Sequence, residues 1–152
     1  LYNMVQRDVE LELIPTCRDY GLGVLAWSPL ASGFLSGKIR KGQPPPSGTR
    51  LARWASAYER FASDKNFRVI EALIEIAMQY AATPAQVALA WLVGRPHVTS
   101  AIIGARNLSQ LEDNLRALDY KLSEPAQRIL DEVSAPDLRY PQDMIGRLSG
   151  TW

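Results

Sequence analysis

Short apolar runs that end in small, polar turns alternate along this chain with stretches of helical spacing. Residues 9–20 carry Leu13, Ile14 and Cys17 on one side, with Gly21 as a C-terminal stop and Pro15 as a kink or restart. Residues 23–27 (Gly-Val-Leu-Ala-Trp) form a continuous apolar run between turn signals, the pattern of a strand buried on both faces. Phe67, Ile70, Ile74 and Ala77 share one broad helical face over residues 66–80, with Ser63 or Asp64 as cap. Thr83-Pro84-Ala85-Gln86 combines an N-cap Thr, a first-turn Pro and a Gln able to reach back, and predicts a helix running to about Val93. A strand over residues 98–103 follows, then a helix opened by Asn107 and a last one capped by Ser123.

Between Ser28 and Asp64 the pattern weakens. Pro44-Pro45-Pro46-Ser47-Gly48 excludes regular structure, and Arg40, Lys41 and Arg50 flank it with positive charge. A loop of this length inside a domain is usually functional or mobile, so residues 28–64 read as a lid. The tail, residues 136–152, reads as extended and poorly tied down. The opening Leu1-Tyr2-Asn3-Met4-Val5 reads as the end of a strand that has lost its beginning, so the chain is expected to be a fragment.

The resulting order is strand end, helix, strand, lid, two helices, strand, two helices. Repeated strand–helix units with apolar strands imply an α/β fold with a parallel sheet covered by helices. A closed eight-stranded barrel needs roughly 250 residues, so the fold expected here is part of a (β/α) barrel, completed by residues absent from this chain or by another chain. Open strand edges would then invite self-association.

Composition narrows the function classes. Among 152 residues, 47% are hydrophobic, enough for a core, and the net charge of +1 lacks the basic bias of a nucleic-acid or membrane-surface binder. No run approaches the length of a membrane-spanning helix, and the lone Cys17 cannot form an internal disulfide; a cytoplasmic setting is expected.

Two turns carry the candidate chemistry. The first is Trp27-Ser28-Pro29-Leu30-Ala31-Ser32-Gly33, followed by Gly37-Lys38. The second is Ile103-Gly104-Ala105-Arg106-Asn107, followed by Gln110, Asp113 and Asn114. Small residues let an anion approach backbone N–H groups, and helix N-termini favour negative charge. Arg106 beside an Asn107-capped helix start suits a phosphate monoester, because a guanidinium matches phosphate oxygens; an ordinary capped helix with a solvated Arg has the same spacing. Trp27, at the end of a strand, either faces a ligand as a stacking surface or belongs to the core. Lys38 either holds a pyrophosphate or is simply solvated.

Other motifs fail on spacing. Gly33 to Gly37 encloses three residues rather than the four of a P-loop, and Ile39 stands where Ser or Thr is required. Gly21-Leu22-Gly23 precedes its strand, whereas a dinucleotide-binding glycine turn follows one. Cys17 lies mid-helix with no neighbouring His and reads as core, and His97, the single histidine, lies in a turn. No cluster has metal-ligand spacing.

Taken in order, Tyr2-Asn3 with Arg7, the run Leu13 to Gly21, Ala26-Trp27-Ser28-Pro29-Leu30 through Gly37-Lys38, Thr83 to Leu92, and Ile103 to Asn114 resemble the aldo-keto reductase superfamily from its sixth barrel strand onward. The resemblance is specifically to bacterial reductases related to potassium-channel β subunits, covers the chain to about Val133, and implies an α/β fold that is the C-terminal part of a (β/α)8 TIM barrel, incomplete in this chain. It implies an NADP(H)-dependent oxidoreductase that reduces aldehydes or ketones to alcohols, with a small-molecule carbonyl as substrate. It places Trp27 on the nicotinamide and Ser28, Pro29, Leu30, Ala31, Ser32 and Lys38 around the pyrophosphate and its ribose. Arg50 comes from the lid, and Gly104, Arg106, Gln110, Asp113 and Asn114 hold the adenosine end. Arg106 on the 2′-phosphate would favour NADP over NAD. Ile103 replaces the Pro that many relatives carry.

The family's catalytic Asp, Tyr, Lys and His come from the earlier half of the barrel, so this chain alone is not expected to catalyse, and no catalytic residue is assigned in it. Two rival readings stay open: an NADP-binding regulatory module similar to the channel β subunits, and an inactive truncated piece.

Overall fold

A computed structural model of the chain describes residues 1–138 and 140–148, the last three by backbone alone. Its two strands, β1 (Val24–Trp27) and β2 (Val98–Ile102), pair in parallel, with Leu25 opposite Ser100 and Trp27 opposite Ile102. Between them run α2 (Ala55–Phe61), α3 (Asp64–Gln79) and α4 (Pro84–Val93), an α/β crossover of the kind parallel pairing requires. Preceding the sheet is α1 (Leu13–Asp19), and α5 (Leu108–Leu115), α6 (Glu124–Val133) and α7 (Gln142–Leu148) follow it.

Local chemistry sets the helix starts. Ser63 Oγ accepts from Asn66 N–H, Asn107 Oδ1 from Gln110 N–H and Ser123 Oγ from Ala126 N–H. The Thr83–Gln86 capping box is complete: Thr83 Oγ1 accepts from Gln86 N–H at 3.2 Å, and Gln86 Oε1 accepts from Thr83 N–H at 2.9 Å. Pro15 occupies the third position of α1, where a missing N–H costs no helical bond, so the break falls earlier, between a 3-10 turn at Asp8–Glu10 and Leu13.

α1 and α3 end in the same two-bond motif. In α1, Gly21 N–H donates to Arg18 O and Leu22 N–H to Cys17 O, whereas in α3 Ala81 N–H donates to Met78 O and Ala82 N–H to Ala77 O. The α3 motif places Ala81 at φ +49°, where its Cβ crowds the backbone. Ala81→Gly is therefore expected to stabilise the protein by about 0.5–1 kcal/mol, read as a higher thermal midpoint.

The core lies between the helices and one face of the sheet. Val69, Leu73, Ile76, Val87, Leu92 and Leu130 are fully or almost fully buried where α3 packs on α4 and α6. Among the described residues no single helix is long and apolar enough to cross a membrane.

Four expectations change. The opening residues form no strand: Asn3 and Gln6 pair in a tight antiparallel bridge, leaving only Leu1 and Tyr2 ahead of the turn, and Tyr2 N–H donates to Trp27 O at 3.3 Å. The strands are not buried on both faces. Ala26 is covered, but Leu25, Trp27 and Ile102 are 63%, 56% and 54% exposed, because nothing among the described residues packs against that side. The segment 28–64 is not loose throughout. It contains α2 and 3-10 turns at Ala31–Ser36 and Leu51–Arg53, and it buries Phe34, Leu35, Ile39, Leu51 and Phe61. The longest stretch without regular structure is 37–50, around the prolines. The tail is helical over α7 instead of extended, and residues 149–152 lie outside the described residues.

Candidate functional site

Parallel register brings the two candidate turns to one end of the sheet. Trp27 and Ile102 are partners, so Ser28 and Gly104 both leave the carboxyl ends of their strands side by side. In sheets of this kind the carboxyl end is where ligands are held.

After β1 the backbone turns left-handed at Ser28 (φ 56°), Ala31 (φ 48°), Ser32 (φ 58°) and Gly33 (φ 94°). Three non-glycine residues in this region within five positions carry strain of the order of 1 kcal/mol each. The turn tolerates it because it is closed by Ala31 N–H to Ser28 O (3.0 Å) and Gly33 N–H to Leu30 O (2.9 Å), and because Pro29, Ala31, Phe34 and Leu35 are buried beneath it. Backbone N–H groups in such a run line a concave, anion-attracting surface. The Trp27 indole stands on the uncovered sheet face beside it. Lys38 is exposed just beyond Gly37.

At the end of β2, Gly104 has open space where a Cβ would be. Arg106 is exposed, and its Nη1 donates to the Gly48 carbonyl in the proline loop at 3.1 Å, leaving the rest of the guanidinium fork facing outward. Gln110 shapes the same turn: its N–H caps onto Asn107, and its Oε1 accepts from Arg106 N–H at 3.0 Å. Asn114 is half-buried.

Two candidates point elsewhere. Asp113 faces α4, where its Oδ1 accepts from Gln86 Nε2 at 2.8 Å and its Oδ2 from Thr83 Oγ1 at 3.4 Å, so the carboxylate ties α5 to the α4 capping box. Arg50 lies with its guanidinium 5.2 Å from the Trp54 ring centroid, stacked within the loop. The turns thus gather Trp27 to Ser32, Gly104, Arg106 and Gln110 at one end, while the side chains of Asp113 and Arg50 are engaged with α4 and with Trp54. His97 takes a left-handed conformation at the opposite, amino end of β2, and Cys17 is half-buried on α1. Among the described residues no group of three His, Cys, Asp or Glu is placed to hold a metal ion.

Sequence reasoning missed Asn3. It is completely buried, and its Nδ2 donates to Ser28 O at 3.0 Å. Its only signal is the Tyr2-Asn3 pair in the resemblance, because a single polar residue before a turn has no periodicity to betray burial.

The model of the Aldo/keto reductase family matches residues 1–135. An uncharacterized oxidoreductase, YrpG, of Bacillus subtilis is 37% identical over 132 residues, which is 87% of this chain and 38% of the relative. A protein described as a probable voltage-gated potassium channel subunit beta, from Arabidopsis thaliana, is 40% identical over 120 residues, 78% of this chain and 37% of its own length. Probable aldo-keto reductase 1 of Glycine max is 35% identical over 136 residues, again 87% and 38%. The chain therefore spans two-fifths or less of the length of these curated relatives. With the family model covering nearly nine-tenths of its residues, and strands, turns and caps in the order the resemblance implies, the chain belongs to the aldo/keto reductase family.

Proposed function

We propose that this chain supplies the cofactor-binding part of an NADP(H)-dependent oxidoreductase acting on a small aldehyde or ketone. The observation that carries the reading is the meeting of an exposed strand-end tryptophan, a left-handed turn and an outward-facing arginine at one end of two parallel strands. These residues fit a dinucleotide. The Trp27 face takes the nicotinamide, the N–H groups of the 28–33 turn take the pyrophosphate, and the free part of the Arg106 fork takes a 2′-phosphate. When bound, the cofactor supplies a hydride; these residues orient it and neutralise its charge.

The proton donor and the carbonyl-polarising groups are assigned to residues outside this chain, on the half of a (β/α)8 barrel that the relatives' greater length accommodates. Uncovered apolar surface supports that placement. Besides the face with Leu25, Trp27 and Ile102, Leu108, Leu111, Leu115 and Leu118 form an exposed stripe along α5 and the turn after it. Such surface needs a partner layer.

The test is a titration of the whole protein with NADPH and NADH, followed by nicotinamide fluorescence. Arg106→Leu is expected to weaken NADPH binding by about ten- to a hundredfold while leaving NADH almost unchanged. An equal change for both cofactors, or no NADPH binding by the wild type, overturns the reading. A regulatory, NADP-binding role is the second reading, favoured by the relatives described as potassium channel β subunits. It predicts the same cofactor binding without turnover of an aldehyde.

A further inference from the structure

We propose that Asn3 is a positioning residue that sets the aim of the Trp27–Gly33 turn at the cofactor; the inference rests on the NADP(H) reading above. Two consecutive carbonyls at the end of β1 are taken by two consecutive residues of the opening segment. Tyr2 N–H donates to Trp27 O, and Asn3 Nδ2 donates to Ser28 O. Ser28 is the first residue of the turn with positive φ, and its carbonyl also accepts the Ala31 N–H that closes the turn. Both donors converge on one oxygen, so its direction is fixed from two sides, and with it the exit of the backbone from the strand.

Both polar ends of the Asn3 amide are used. At 0% exposure an amide is costly unless every group finds a partner. Its Oδ1 accepts from Val5 N–H at 3.0 Å, which shapes its own tight turn, and its Nδ2 leaves that turn to reach a residue twenty-five positions away. The first bond is local architecture. The second is directed at the candidate site.

The anchor behind Asn3 is stiff. Tyr2 is buried, its ring meets the Trp91 ring edge-on with centroids 5.9 Å apart, and its hydroxyl donates to Glu10 Oε1 at 2.5 Å. Burial, and then that bond, hold the Tyr2 phenol far above its ordinary pKa, so it stays a neutral donor. A side chain fixed in this way can hold a strained turn in place, because the turn cannot relax by dragging its support along.

Two variants test the role in the whole protein. Asn3→Asp keeps the size and the acceptor for Val5 but loses the donor; Asn3→Ser keeps a shorter acceptor and avoids a buried charge should the first variant fail to fold. Both are read by NADPH titration, by amide exchange, and by steady-state kinetics with benzaldehyde as probe. The expected result is a Kd and KM for NADPH raised about tenfold with kcat changed less, together with faster exchange at Ala31 and unchanged exchange in α3 and α4. Simple loss of native protein would lower kcat and leave KM alone. A Kd within twofold of wild type, or a weaker Kd with Ala31 exchanging at the wild-type rate, overturns the proposal. Wild-type protein that fails to bind NADPH removes the cofactor reading itself, and that result is seen before any variant is made.

Discussion

Replacing Arg7 by methionine is expected to lower the unfolding free energy by about 3 kcal/mol, read as a reduced urea midpoint at unchanged slope. Arg7 is 7% exposed and every arm of its guanidinium is engaged. Nε and Nη2 grip the two oxygens of Glu10, each at 2.8 Å, while Nη1 donates to Ser134 Oγ at 2.8 Å and to Asp131 O at 3.0 Å. Its plane also lies 5.2 Å from the Trp91 ring centroid, and Arg95 lies 4.9 Å from the same ring. Methionine fills much of the volume, so the loss is electrostatic. Glu10, four-fifths buried, keeps only the Tyr2 hydroxyl and an Arg95 Nη2 at 3.8 Å. A largely buried carboxylate that loses both of its guanidinium bonds is what makes the change expensive. Arg7→Lys keeps the charge but not the fork, and should cost roughly half as much.

The same substitution should be felt at the candidate site. Glu10 holds Tyr2, and Tyr2 and Asn3 hold the Trp27 and Ser28 carbonyls. Stability and the aim of the 28–33 turn therefore share one support, in which the opening segment is clamped to α4 through Trp91 and to α6 through Asp131 and Ser134.

What could be read from the residues divides along the range of the interactions. Ser63, Thr83, Asn107 and Ser123 cap helices by bonds to residues three positions on, and such short-range chemistry is written directly in the spacing. The two strand runs were legible for the same reason, and with them the joint exit of Trp27 and Gly104. Coverage was not. The run Val24-Leu25-Ala26-Trp27 has the pattern of a strand buried on both faces, yet only one face is packed, because no layer among the described residues covers the other. Long-range polar contacts were hidden too. Gln86 looks like a capping residue and is one, but the geometry of α4 and α5 also turns its amide onto Asp113, a contact that no spacing announces. Arg7 and Asn3 have local partners in Glu10 and Val5, but their bonds to Ser134 and Ser28, far along the chain, leave no periodic signal.

Gly37→Ala is expected to cost about 2–4 kcal/mol, and its cause can be divided. Gly37 ends the buried 3-10 segment at φ 76°, where an alanine is strained whatever the space around it. A Cβ there would also lie 2.5 Å from Pro84 Cγ and 2.9 Å from Pro84 Cβ. Neither side can yield cheaply. The proline ring is the first residue of α4, pinned by the Thr83–Gln86 capping box, and Gln86 is itself buried. On the other side, Phe34, Leu35 and Ile39 bracket Gly37 in the core, so moving the loop would unpack them. Gly42 supplies the comparison: its φ of 75° is the same, but a Cβ would meet nothing within 4 Å. Gly42→Ala should therefore show the backbone cost alone, about 1 kcal/mol, and the excess at Gly37 measures the clash. Combining Gly37→Ala with Pro84→Ala removes the 2.5 Å contact and leaves the 2.9 Å one, so part of that excess should return as a favourable coupling of about 1 kcal/mol. Equal urea midpoints for Gly37→Ala and Gly42→Ala would show that the start of α4 gives way freely, and that the Gly37-Lys38 turn is not held against it.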